Sequence, residues 1–182
     1  MALSQPRVWT IEDFQEFVAR PENRDRLFEL INGETVEKTP GRTSNSELSY
    51  NLAFVVKAFC KEDHLPCHIS GGDAAYDIHG HVVASDFAFK TTPMSDDYPD
   101  PEPPLWAVEI ISPTEKPDDI RAKRLIYIAA KILYWEFYPK SQSVDVYAPA
   151  QPLRTVGIDG TLDGGAVLPG FKVTVKALFS DQ

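Results

Sequence analysis

Cysteine is scarce in this chain. Cys60 and Cys67 are the only two among 182 residues, too few for the disulfide framework that staples small secreted domains. Reduced thiols are expected, one near a helix end and one near a strand start. Long hydrophobic runs are also missing: no apolar stretch approaches the roughly 18 residues that a membrane-spanning helix requires, and the opening residues MALSQPRVW carry no signal-peptide core. A cytoplasmic protein with no membrane partner is therefore expected. Basic residues are outnumbered, 18 Lys and Arg against 27 Asp and Glu, for a formal net charge of −9. A protein that grips phosphates normally carries a basic face. Here no such face can be global, and the nearest local cluster is Arg121, Lys123, Arg124 and Lys131. Internal repeats and low-complexity tracts are absent.

What is present reads as one domain over residues 1–182, with 43% hydrophobic and 25% charged residues, ordinary for a globular protein. Thr10 is a plausible N-cap, with Asp13 in the capping-box position and Trp9 and Phe14 placed for a hydrophobic staple, opening a short helix over about Ile11 to Ala19. Leu27 to Glu37 predicts two strands around Asn32-Gly33, a type I′ hairpin signal, with Glu29 in the first arm. From about Ser44 to Glu62, Leu48, Leu52, Val55, Val56 and Phe59 recur at helical spacing. His68 to Ile78 and His81 to Phe89 predict two strands joined at His79-Gly80, the second containing Asp86. Thr91 to Pro104 holds five prolines and four acidic residues and reads as an exposed loop or flap. The stretch after Pro139, with Gly157, Gly160, Gly164-Gly165 and Pro169-Gly170 between short apolar runs, predicts a small β-rich C-terminal section.

The stretch Leu105 to Tyr138 organises the rest. Leu105 to Ile111 is nearly continuous apolar sequence, as expected of a strand covered on both faces, yet it contains Glu109, whose carboxylate must then be paired, hydrogen-bonded or metal-bound. A helix follows from Pro117 to about Ala130, with Asp118 and Asp119 at the positive end of its dipole. Its apolar sector on a helical wheel is Ala122, Leu125, Ile126, Ala129 and Ala130, with Lys123 on the border and Asp119 and Tyr127 at i, i+4 spacing from it. Ile132 to Tyr138 then completes a βαβ unit. Strand alternation sets Asp86 beside Ala84 and Ala88, and Glu109 beside Ala107, so small neighbours leave room at both carboxylates. Two strand carboxylates, a main-chain carbonyl and a lysine from the next helix suit Mg²⁺-assisted phosphodiester hydrolysis. The same residues also fit a plainer arrangement, one buried salt bridge and one edge aspartate.

The segments FELINGE (Phe28 to Glu34), SDFAF (Ser85 to Phe89), AVEIIS (Ala107 to Ser112), DDIRAKRLIY (Asp118 to Tyr127), LYWEFYP (Leu133 to Pro139) and LPGFKV (Leu168 to Val173) stand in an order that resembles the Uma-type restriction endonuclease family, domain of unknown function 820, over nearly the whole chain. The resemblance implies the PD-(D/E)XK nuclease superfamily: an α/β (α+β) restriction endonuclease-like core with a mixed central sheet flanked by helices, here with an extra N-terminal hairpin and a β-rich C-terminal section. It implies a metal-dependent endonuclease using Mg²⁺ or Mn²⁺ on nucleic acid, DNA first. It makes Asp86, Glu109 and the carbonyl of Ile110 metal ligands and Glu29 a further acidic site residue. Where the superfamily has a lysine two residues after the glutamate, this chain has Ile111, and Lys123 on the helix stands in for it. Ser85 replaces the proline usual before the aspartate, Tyr138 an acid usual before Pro139, and Asn45 the histidine that usually opens the long helix.

Two functional classes remain open on these grounds: the nuclease, and an inactive nuclease-fold protein that binds or assembles. The net charge favours the second, and the combination of Asp86, Glu109 and Lys123 the first. A homodimer is also expected, because the aromatic strand Leu133 to Tyr138 and the C-terminal section offer more apolar surface than a small sheet readily covers. On the nuclease reading, Lys123→Met leaves the fold intact and slows cleavage by roughly 10²-fold or more.

Overall fold

The computed structural model describes residues 8–113 and 115–179; most of the opening segment read above for a signal sequence lies outside them. Thr10 and Asp13 form the reciprocal capping box that starts helix α1 (Ile11–Val18). Trp9 makes its edge-on ring contact with Phe17, one turn beyond the expected staple partner. Strands β1 (Leu27–Ile31) and β2 (Glu34–Lys38) pair across Asn32 and Gly33, whose φ of 52° and 76° give the two left-handed residues of a type I′ turn. Helix α2 (Thr43–Glu62) buries Leu48, Leu52, Val56 and Cys60.

Each of the next two expected strands is divided. The first becomes β3 (His68–Gly71) and β4 (Tyr76–Ile78), and the second becomes β5 (His81–Val83) and β6 (Phe87–Lys90). β4 and β5 pair with each other and join the N-terminal hairpin in a four-stranded sheet, order β2-β1-β5-β4, while β3 and β6 pair in a larger one. One long hairpin thus belongs to two sheets, and both its arms change sheet, at Gly72–Ala75 and at Ala84–Asp86. Asp86 consequently lies in the bend before β6 rather than within a strand. Val82–Ala84 and Phe87–Phe89 are apolar on either side of Ser85-Asp86, and two polar residues without glycine or proline are too short a signal to mark the break.

β7 (Trp106–Ile110), α3 (Pro117–Ala129) and β8 (Leu133–Tyr138) follow, and β7 and β8 are parallel, as a βαβ unit requires. With β9 (Ser143–Tyr147) and β10 (Arg154–Val156) they complete a six-stranded mixed sheet, order β10-β9-β8-β7-β6-β3. The short pair β11 (Thr161–Asp163) and β12 (Lys172–Thr174), then helix α4 (Val175–Phe179), close the chain. No helix among the described residues is long and apolar enough to cross a membrane.

The six-stranded sheet separates two cores. On one face, α2 and the C-terminal section cover Phe87, Phe89, Trp106, Val108, Ile110, Trp135 and Phe137; Trp106 and Trp135 meet edge to face at 4.3 Å and are wholly buried. Each such large apolar side chain contributes roughly 1.5–3 kcal/mol on burial. On the other face, α3 lays Ile126 and Tyr127 over Ala88, Ala107 and Tyr134. The aromatic strand expected to drive dimerisation is therefore covered within the chain, Leu133 to Phe137 being buried.

α3 is rotated from the orientation its apolar residues suggested. Leu125 is 56% exposed and Ile128 is also exposed, whereas Lys123 is buried with Ile126 and Tyr127. The cause is polar: Glu109 of β7 and Glu136 of β8 are directly paired in register, both are buried, and each takes a cation from α3. Arg124 grips Glu136 through two parallel hydrogen bonds of 2.7 Å, and Tyr138 donates a third of 2.7 Å. Leaving a buried carboxylate unpaired costs more than exposing one leucine.

Residues 91–104 do not form a free flap. The Asp100 carboxylate accepts from the buried Lys90 ammonium at 2.7 Å and from the amides of Ser95 and Glu102. Its backbone bridges Ala75 and Asp77, and Gln15 donates to the Tyr98 carbonyl.

Candidate active site

β7 supplies Glu109 and the bend before β6 supplies Asp86. The antiparallel pairs Phe87↔Val108 and Ala88↔Ala107, carried one step past the strand, set Asp86 across from Glu109. Both then belong to the α3 side of the sheet, the side of Ala88 and Ala107. Asp86 Oδ2 accepts the Ile110 N–H at 2.7 Å, and its carbonyl accepts from Ser49 Oγ of α2 at 2.6 Å, so the bend is held from both sides. Gly72 lies against it: a Cβ there would stand 3.4 Å from Asp86 Oδ1, in van der Waals contact with the carboxylate.

Lys123 reaches the pair from α3. Its ammonium lies 2.5 Å from Glu109 Oε1 and 3.0 Å from Glu29 Oε1, and donates to the Ala84 carbonyl at 3.2 Å. Glu29 Oε1 also accepts the Ala84 N–H at 2.8 Å, and Tyr127 donates its hydroxyl to Glu109 Oε1 at 3.2 Å. Tyr134 stacks on Tyr127 and closes this side of the site. The expected i, i+4 partner Asp119 has no ion pair with Lys123 among the described residues, while Tyr127 lies beside it.

The electrostatics follow from burial. Desolvation alone would lower the Lys123 pKa, but Glu109 and Glu29 outweigh it and hold the ammonium charged well above its ordinary range. Burial works against ionised Glu29, yet Lys123, Lys38 and the Ala84 amide bring it below the usual carboxylate range. Glu109 goes the other way: burial pushes it up to about 7, against the pull of Lys123 and reinforced by the charge of Asp86. Lys123 and Glu29 form the charged pair, and Glu109 is the member that takes up a proton first.

The structure thus brings Asp86, Glu109, Lys123, Glu29 and the Ile110 backbone to one place. Sequence reading passed over Lys38 and Glu115. Lys38 ends β2 and donates to the Ala84 carbonyl at 2.8 Å and the Gly72 carbonyl at 3.3 Å. Glu115 accepts the Ser112 N–H, and burial and Asp86 raise its pKa. The position of Glu115 at the carboxyl end of a parallel strand, where α/β sheets collect ligands, was the available signal; for Lys38 there was none. Asn45 donates to the Ile110 carbonyl at 3.4 Å, so the residue standing where the family usually has histidine still touches the site.

Among the described residues no three His, Cys, Asp or Glu side chains gather as a ready metal cage. The available donors are Asp86 Oδ1 and Glu109 Oε2, which carry no hydrogen bond among the described residues, and the Ile110 carbonyl. Hard oxygens in that number fit a cation that completes its shell with water, as Mg²⁺ does.

The family model described as "Uma2: Putative restriction endonuclease" matches residues 14–176. The chain belongs to this family. No curated protein matches it. Among solved structures it is similar to one described as a "putative nuclease belonging to DUF820 from Anabaena variabilis", with 18% identity, a TM-score of 0.77, and coverage of 94% of this chain and 97% of that one. At that identity the likeness shows the fold, a mixed sheet between helices. Family membership supports a nuclease activity.

Proposed function

We propose that the protein is an endonuclease that hydrolyses phosphodiester bonds of nucleic acid, DNA first, with Mg²⁺ or Mn²⁺ held by Asp86, Glu109 and the Ile110 carbonyl. The observation that carries this reading is the placement of Asp86 across from Glu109 with the Lys123 ammonium on the latter. A divalent cation bound there supplies Lewis-acid polarisation of the phosphate and a more acidic water. The chain's own residues do the rest. The Ile110 N–H fixes the Asp86 carboxylate; Lys123 and Tyr127 fix the Glu109 carboxylate by one oxygen and, among the described residues, leave the other without a hydrogen bond; Glu29 holds Lys123 charged and in line with Ala84. The charged Lys123 ammonium in this way orients the Glu109 carboxylate and favours its ionised form.

The rival is an inactive binding or assembly protein, and one observation favours it: Lys123 is matched by Glu29 and Glu109 in a buried network that needs no metal. A cleavage assay over single-stranded, double-stranded and branched DNA, and RNA, with and without Mg²⁺ and with Glu109→Ala as control, separates the two. Metal-dependent cleavage lost in Glu109→Ala supports the nuclease, and absent cleavage supports the rival. A cytoplasmic homodimer completes the proposal. Its contact would be the outer face of α2, where Tyr50 and Phe54 are 73% and 74% exposed, and a twofold axis would present two sites to one nucleic acid. Light scattering that gives a monomer at micromolar concentration would refute this part.

A further inference from the structure

Lys38 is the cation of this site that is free to meet a substrate. The Lys123 ammonium is buried, and its three protons are matched by Glu109, Glu29 and the Ala84 carbonyl. Lys38 is half-exposed and has no carboxylate partner among the described residues. Two of its three protons go to the Ala84 and Gly72 carbonyls, at 2.8 Å and 3.3 Å, and the third has no protein acceptor among the described residues. It also stands beside the metal-ligand candidate: a methyl group on Gly72 would be 3.4 Å from Asp86 Oδ1 and 3.9 Å from Lys38 Nζ. The ammonium and the carboxylate therefore flank the same bare glycine, where the absence of a side chain leaves room for another group.

Charge gives that room a preferred occupant. Glu29, Asp86, Glu109 and Glu115 surround the site, Lys123 is engaged within it, and the chain as a whole carries −9. An anionic phosphodiester approaching four carboxylates needs a cation that is not already neutralised. The field of Lys38 is felt at Glu29, Glu109 and Glu115, each of whose carboxyl pKa it lowers.

We propose that Lys38 is the phosphate contact of the site: its free N–H binds a non-bridging oxygen of the phosphodiester beside Gly72, while Lys123 orients Glu109 without touching the substrate. This rests on the nuclease reading above.

The test measures DNA binding across a salt series with Ca²⁺ replacing Mg²⁺, for the wild type, Lys38→Gln and Lys38→Arg, alongside calorimetry of Mg²⁺ binding and thermal melts. Gln removes the charge while keeping a donor on a stem one bond shorter, and Lys38→Arg keeps both the charge and the reach. Losing one phosphate contact lowers the slope of log K against log salt by about 1. The expected result is that loss in Lys38→Gln, a wild-type slope in Lys38→Arg, and unchanged Mg²⁺ binding in both. A wild-type slope in Lys38→Gln overturns the proposal and leaves the nuclease reading standing. Loss of Mg²⁺ binding and of melting temperature in Lys38→Gln also overturns it, since Lys38 would then be a scaffold residue. A wild type that binds Mg²⁺ but no nucleic acid removes the nuclease reading, and this proposal with it.

Discussion

Lys123→Met tests the buried ion network most directly, and the structure changes what it should do. Read from sequence, the substitution spares the fold; in the folded chain it strips the cation from two buried carboxylates, Glu109 and Glu29, and a donor from the Ala84 carbonyl. Removing one partner of a buried pair costs about 3–5 kcal/mol, a large part of the roughly 5–15 kcal/mol that holds a domain folded. At roughly 2–4 °C per kcal/mol for a chain of this size, the melting temperature should fall by about 10 °C. The loss should depend on pH, with a sign that the pKa shifts fix. In the wild type, Glu29 is held below the ordinary carboxylate range, so its contribution is present above that range and fades as pH falls. Glu109 is held up at about 7, so its contribution is full below the ordinary carboxylate range and is lost as pH rises through 7. Without Lys123 both groups rise, and each must be protonated to stay buried, so the variant weakens steadily as protons are withdrawn. Melts followed by circular dichroism should therefore show a wild-type-minus-variant gap that is wider at about pH 8 than at about pH 5. Equal melting temperatures, or a gap that narrows as pH rises, would refute the assigned network.

Asp86→Ala should abolish Mg²⁺ or Mn²⁺ binding in calorimetry, and unchanged binding would move the metal elsewhere. Because Glu109 titrates near 7 and a ligand carboxylate must be ionised, metal binding at about pH 6 should release protons. Heats that do not vary among buffers of different ionisation enthalpy would contradict this. Arg124→Leu should cost about 3–5 kcal/mol by stranding Glu136, and adding Glu136→Leu should restore most of it; urea denaturation of the single and double variants checks the pattern. Lys90→Met should unclamp Asp100 and make residues 91–104 a site of rapid proteolysis, where the wild type resists.

Much of the fold was legible because its local signals were unopposed. The Thr10–Asp13 box, the Asn32-Gly33 turn and the spacing of Leu48, Leu52 and Val56 name their structures within a few residues of sequence. Glu109 stood out as a charge in an apolar run. The break at Ala84–Asp86 was hidden, since apolar residues stand on either side with no glycine or proline between them, and only the partners of β5 and β6 tell the two strands apart. The rotation of α3 was hidden for a related reason. A hydrophobic wheel weighs Leu125 above Lys123, and nothing local says that two buried glutamates lie opposite. Lys38 was illegible because its importance depends on Gly72 and Ala84, 34 and 46 residues away.

The neighbouring ion pairs of α3 act as a two-pin key. Lys123 is a point donor that meets Glu109, and Arg124 is a planar fork that fits only a carboxylate presented edge-on, as Glu136 is. Glu109 and Glu136 stand at one level of adjoining strands, so sliding or turning the helix by a single residue would bring the fork to the wrong lock and leave the other empty. The position of Lys123 is thus set by a salt bridge that lies outside its own cluster, and changes at Arg124 or Glu136 should misplace Lys123 even though neither residue is hydrogen-bonded to Asp86 or Glu109 among the described residues.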